Sequence, residues 1–105
     1  MTRGNVKLAT FDGPVEVPAV IFGHLAVHRS AGPSKVWVIT HRPTGAMMET
    51  YDRRRDAIKV AQKVETECAA QLHTLRHMKF ADTSLKGARL PAAKKLRQFI
   101  RELAA

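Results

Sequence analysis

Lys35-Val36-Trp37-Val38-Ile39-Thr40-His41-Arg42, then Pro43-Thr44-Gly45, then Ala46-Met47-Met48-Glu49-Thr50-Tyr51, then Asp52-Arg53-Arg54-Arg55: this run decides the fold. Residues 35–42 are rich in β-branched and aromatic side chains, which suit a pleated, half-buried surface. Pro43-Thr44-Gly45 is turn chemistry, and residues 46–51 read as a returning strand. Asp52 is the expected N-cap, because a carboxylate accepts backbone N–H bonds and faces the positive end of a helix. The helix is predicted over about 53–79. Its apolar residues Ala57, Ala61, Val64, Cys68, Leu72, Leu75 and Met78 recur at gaps of three and four and so share one stripe.

Toward the N-terminus, residues 19–29 read as one strand with Gly23 as a bulge, and 30–34 as a loop. Residues 5–11 have a weaker strand pattern, and Asp12-Gly13-Pro14 turns the chain. Val15 to Val17 return as a strand that Pro18 interrupts or confines to an edge. Toward the C-terminus, residues 80–90 are a connection containing Gly87. A last helix is predicted over 91–103, with Pro91 in its first turn and a stripe of Ala92, Leu96, Phe99 or Ile100, and Leu103. That stripe needs a partner, either the long helix or a second copy of the chain in a homodimer. Strands followed by helices predict an α+β fold. The expectation is a small antiparallel β-sheet of three to four strands packed on a long α-helix, plus a C-terminal helix. It forms a single domain over 1–105, with the sheet part within 5–51.

Lys and Arg total 18 against 9 Asp and Glu, a formal charge of +9. Such an excess on so small a domain attracts polyanions, and nucleic acid is the commonest of them in a cell. The basic residues fall in two groups. Arg53, Arg54 and Arg55 open the long helix, and Arg55, Lys59 and Lys63 continue at i, i+4 and i+8 as one line of like charge. Such a line costs a few tenths of a kcal/mol per pair. Asp56 and Glu67 are near enough in sequence to relieve it, which would make it an ordinary solvated face. Lys94, Lys95, Arg97 and Arg101 form the second group, placed opposite the apolar stripe of the last helix, with Lys86 and Arg89 before it.

Enzyme chemistry finds no footing. The chain has no Gly-x-Ser-x-Gly elbow, Walker loop or Gly-rich dinucleotide fingerprint. Asp52 and Asp56 sit among arginines, where capping and salt pairing account for them. His24 and His28, read on one strand, stand roughly 13 Å apart, too far to share a metal ion. His73 and His77 are neighbours on a helix, but the segment lacks the glutamate of a zinc protease and carries Arg76 instead. Cys68 is single, cannot form an internal disulfide, and reads as a half-buried helix residue in a reducing compartment. No catalytic residue, metal or cofactor is expected. No apolar stretch reaches the roughly 18 residues of a membrane span. No apolar run follows Met1-Thr2-Arg3-Gly4-Asn5 as in a signal peptide, so a cytoplasmic protein with no membrane partner is predicted.

Alternation along 36–42 separates Trp37, Ile39 and His41 from Val36, Val38, Thr40 and Arg42. Trp37 with Ile39 is the more apolar set and is expected to face the helix. Thr40 and Arg42 would then lie on the open face of the sheet.

Three strands and a helix carrying Val36-Trp37-Val38-Ile39-Thr40, Thr44-Gly45, Asp56-Ala57-Ile58 and Ala61 resemble the integrase-arm and plant ethylene-response type of DNA-binding domain over residues 20–65. The resemblance implies a sheet that enters the major groove while the helix braces it, with Arg29 and Arg42 in place of that family's open-face arginines. The segment Trp37-Val38-Ile39-Thr40-His41 with Thr44-Gly45, in a small basic chain, is also similar to small proteins of actinobacterial phages. That similarity implies a phage accessory or regulatory protein. The leading expectation is a non-enzymatic nucleic-acid-binding protein with DNA as partner. Its contacts would be Arg42, Arg53, Arg54, Arg55, Lys59, Lys63, Lys94, Lys95, Arg97 and Arg101. The alternative is a phage-type interaction module that binds and inhibits a host or defence protein.

Overall fold

The computed structural model describes residues 2–30, 33–82 and 84–104. Part of the loop expected at 30–34, and one residue of the connection at 80–90, lie outside that range. The fold of the described residues is α+β: five antiparallel strands in the order β1-β2-β3-β4-β5, followed by three helices. The strands are β1 (Thr2–Thr10), β2 (Gly13–Phe22), β3 (Leu25–Arg29), β4 (Trp37–His41) and β5 (Ala46–Tyr51). The helices are α1 (Arg54–Glu67), α2 (Ala69–Leu75) and α3 (Arg89–Ala104).

The sheet is larger than the sequence predicts. Residues 19–29 are not one bulged strand. Gly23, at φ +56, and His24 form a two-residue hairpin turn that sets Phe22 opposite Leu25. The register irregularity falls instead between Ile39 and Thr40, opposite β5. Pro14 and Pro18 lie inside β2 and do not break it. That stretch of β2 pairs only with β1, so half its N–H groups have no strand to face and a proline can sit there without losing a ladder bond.

The two faces of the sheet are both covered. On one, Phe22, Leu25, Val27 and Ile39 form a core with Ala57, Ala61 and Val64 of α1, and with Leu72, Leu75, Leu96 and Ile100 of α2 and α3. On the other, the sheet curls until the far end of β1 reaches the β4–β5 turn, where the Ala9 N–H donates to the Gly45 carbonyl at 3.0 Å. Val6, Leu8, Ala19 and Ala26 fill the inside of that curl. Thr40, expected on an open face, is therefore 1% exposed.

The apolar stripe of the long helix is buried from Ala57 to Met78, yet the helix itself is not continuous. It breaks at Cys68 (φ −114, ψ 28), and α2 ends at Leu75. The break re-aims α2, which packs chiefly on α3. The last helix thus finds its partner within the chain. Asp52 is not the N-cap. Arg53 holds that position in extended backbone and makes no side-chain cap bond, since a guanidinium has no acceptor to offer. Cys68 is fully buried, not half-buried, and burial pushes its thiol pKa up while the nearby Lys95 charge pulls it down. That is the opposite of an activated nucleophile.

Candidate nucleic-acid interface

Helix α1 lays Ala57, Ala61 and Val64 on the sheet, so the opposite side of the same helix points to solvent. Arg55, Lys59 and Lys63 occupy that side, and all are exposed. The acids placed to relieve them do not do so. Among the described residues the close contacts between basic and acidic side chains are His24–Glu65 at 3.5 Å and Arg89–Asp82 at 3.6 Å, and neither involves this line. Arg53 and Arg54 are exposed at the head of the helix.

Lys94, Lys95, Arg97 and Arg101 are exposed on α3 but do not form one patch. Arg97 and Arg101 border a cleft of about 380 Å³ beside β5, whose floor includes Met48, Met78, Leu96 and Ile100. Lys95 flanks the apolar stripe on its other side, near Cys68. A helical step of 100° explains the split, because Lys95 and Arg97 flank Leu96 on opposite sides, about 200° apart, while Arg97 and Arg101 are neighbours at i, i+4. Arg42 is exposed, but its guanidinium donates to the Gly23 carbonyl at 2.7 Å and its N–H to the His24 carbonyl at 2.9 Å. It pins two hairpin turns together.

A second basic cluster was not legible as such in the sequence. Trp37 opens β4, directly opposite Arg29 of β3 and Tyr51 of β5. The Arg29 guanidinium lies 5.4 Å from the indole and that of Arg54 lies 5.9 Å from it. Cations gather there because the ring face is electron-rich. Trp37 packs against the helix-side core and is partly exposed, so it is neither a fully buried core residue nor a free platform. Arg3 of β1 joins it across a depression of about 530 Å³, whose walls include Val17, Pro18, Val20 and Val27. The readable signal was the lone tryptophan with Arg29 on the other side of the loop predicted at 30–34. Arg3 and Arg54 reach it only through the fold.

His28 and His41 are structural. His28 is 3% exposed. Its Nδ1 lies 2.7 Å from the Arg29 carbonyl, so it carries the proton and donates. Its Nε2 then accepts from the Thr40 hydroxyl at 2.7 Å. Burial lowers its pKa and keeps it neutral. His41 pairs through Nδ1 with the Thr44 hydroxyl at 2.8 Å. Burial first, and the neighbouring His24 second, lower its pKa to about 4. His24 sits in the β2–β3 turn and not on a strand with His28. His77 lies past the end of α2, where Arg76 donates to its Nε2 at 2.9 Å. Among the described residues no three His, Cys, Asp or Glu side chains are grouped to hold a metal ion. No helix among them is long and apolar enough to cross a membrane.

No family model, curated protein or solved structure matches the chain.

Proposed function

We propose that the protein is a non-enzymatic nucleic-acid-binding protein, with DNA as its first expected partner. The observation that carries this reading is the α1 line Arg55, Lys59 and Lys63, exposed and outside every ion pair among the described residues. Three like charges held at successive turns repel one another, and a phosphate backbone turns that repulsion into attraction. The net charge of +9 supplies the long-range field. The groove-reading sheet of the integrase-arm type needs the face opposite α1 to be open, and here that face is filled by Val6, Leu8 and Ala19. The helix surface and the exposed arginines are therefore the contacts in this reading, with phosphates as their targets. An accessory or regulatory role of the kind the phage similarity implies fits a small binder of this type.

The test is a titration of duplex DNA at several salt concentrations. Each neutralised phosphate contributes a slope of about −0.9 in log K against log salt, so about five contacts predict a loss of affinity of roughly several hundredfold between about 50 and 200 mM, and a loss below about tenfold counts against them. Absence of binding to duplex and single-stranded DNA and to RNA at low salt sinks the reading. The protein-interaction reading would then stand, on Phe11, which is fully exposed at the tip of the β1–β2 hairpin.

A further inference from the structure

The α1 line offers charge alone, whereas the depression beside Trp37 combines charge with an apolar surface. Arg3, Arg29 and Arg54 come to it from β1, β3 and the first residue of α1. Among the described residues no carboxylate lines it. Arg29 and Arg54 both lie over the same indole, and neither is in an ion pair among the described residues. The rest of the wall includes Val17, Pro18, Val20, Val27 and Trp37, a surface for a flat apolar group and not for an ion. At about 530 Å³ the space is within the usual range for a small-molecule site.

We infer that this depression holds one unpaired nucleotide of a single strand, its base against Trp37 and the valine–proline wall and its phosphates on Arg3, Arg29 and Arg54. The inference rests on the nucleic-acid reading and narrows it. A base has a π-face whatever its identity, so stacking on tryptophan is tolerant of sequence. Guanidinium groups grip phosphate in a planar fork, which a lysine would not. A base within a duplex is stacked on both sides and cannot enter. This site therefore discriminates single strand from duplex, while the α1 line takes either.

Trp37 is the only tryptophan in the chain, so its emission reports on this place alone. The experiment titrates the full chain with a twelve-residue oligo(dT) and with a duplex of equal length, reading Trp37 emission and the anisotropy of labelled DNA together. The expected result is saturable quenching by oligo(dT), with the same midpoint as anisotropy, and little quenching by duplex. Arg29→Gln with Arg54→Gln should weaken oligo(dT) about tenfold and duplex far less. Lys59→Gln with Lys63→Gln should weaken both alike. Oligo(dT) that binds without quenching overturns the inference, as does an arginine pair no more damaging to oligo(dT) than the lysine pair. Duplex binding with no single-strand binding overturns the inference and leaves the broader reading standing. Absence of all binding removes both.

Discussion

The two ends of the curled sheet are built from opposite materials. At the Gly45 end the chain closes on itself with backbone: the Ala9 N–H reaches the Gly45 carbonyl, and the Ala81 N–H reaches the Thr44 carbonyl at 2.8 Å. Phe80 seals that corner, with the Lys7 ammonium 4.7 Å from its ring. At the Trp37 end two arginines lie over an indole and a third joins them around a depression. One end uses its polar groups on itself and is structural. The other gathers three arginines, none of them in an ion pair with one of the described residues.

The largest expected effect is at the closed end. Gly45 has φ +71, and a Cβ there would meet Phe80, with the Lys7 carbonyl 2.7 Å and the Ala9 nitrogen 2.9 Å away. Gly45→Ala combines a left-handed backbone cost with overlap against atoms that cannot rotate away. It should cost about 3 kcal/mol or more, seen as a melting temperature lower by more than about 10 °C or as failure to fold. A variant that melts like the parent would mean that the β1 contact is not what holds the curl.

The next effect is a pH dependence belonging to the same end. The pKa of His41 is lowered to about 4 from 6.5. Above pH 6.5 the ring is neutral folded or unfolded, and its contribution is intact. As pH falls below 6.5 the unfolded chain takes up the proton first, so stability declines down to about pH 4 and then levels. The full linkage is roughly 3 kcal/mol, and His28, lowered by the same cause, adds in the same direction. Urea unfolding at pH 7 and at pH 4.5, on the parent and on His41→Gln, measures it. Equal pH losses in the two proteins would remove His41 from the account.

The smallest effect on stability is expected at the open end. Arg29→Gln and Arg54→Gln each lose one cation over a partly exposed ring, worth about 0.5–1 kcal/mol. Thermal melts should move by only a few degrees. A large drop would make the arginines structural props and erase the contrast between the two ends.

Much of the helical half was legible, because helical periodicity is local. The gaps of three and four from Ala57 to Met78 name the buried residues correctly even across the break at Cys68. The break itself was not legible, since Cys68 and its neighbours carry no glycine or proline. Docking against α3 sets where α2 must point. The sheet was under-read because Pro14 and Pro18 argue against a strand unless the missing N–H groups face no partner, which depends on how far β3 extends. The predicted cations are exposed where described, but their division into separate surfaces follows from the packing of α1 and α3.

Composition and local pattern by themselves determined the α+β class, the strong positive charge, the apolar stripes and the strand–turn–strand–helix run from Lys35 to Arg55. Each of these depends on residues within a few positions of one another. Only the tertiary structure decided that β1 folds back to Gly45, so covering the face that would have been the open one. It alone brought positions 3, 29, 37 and 54 around one depression. Such contacts are long-range: their loop-closure entropy is offset by burial summed over the whole core, and no short window of sequence records that sum.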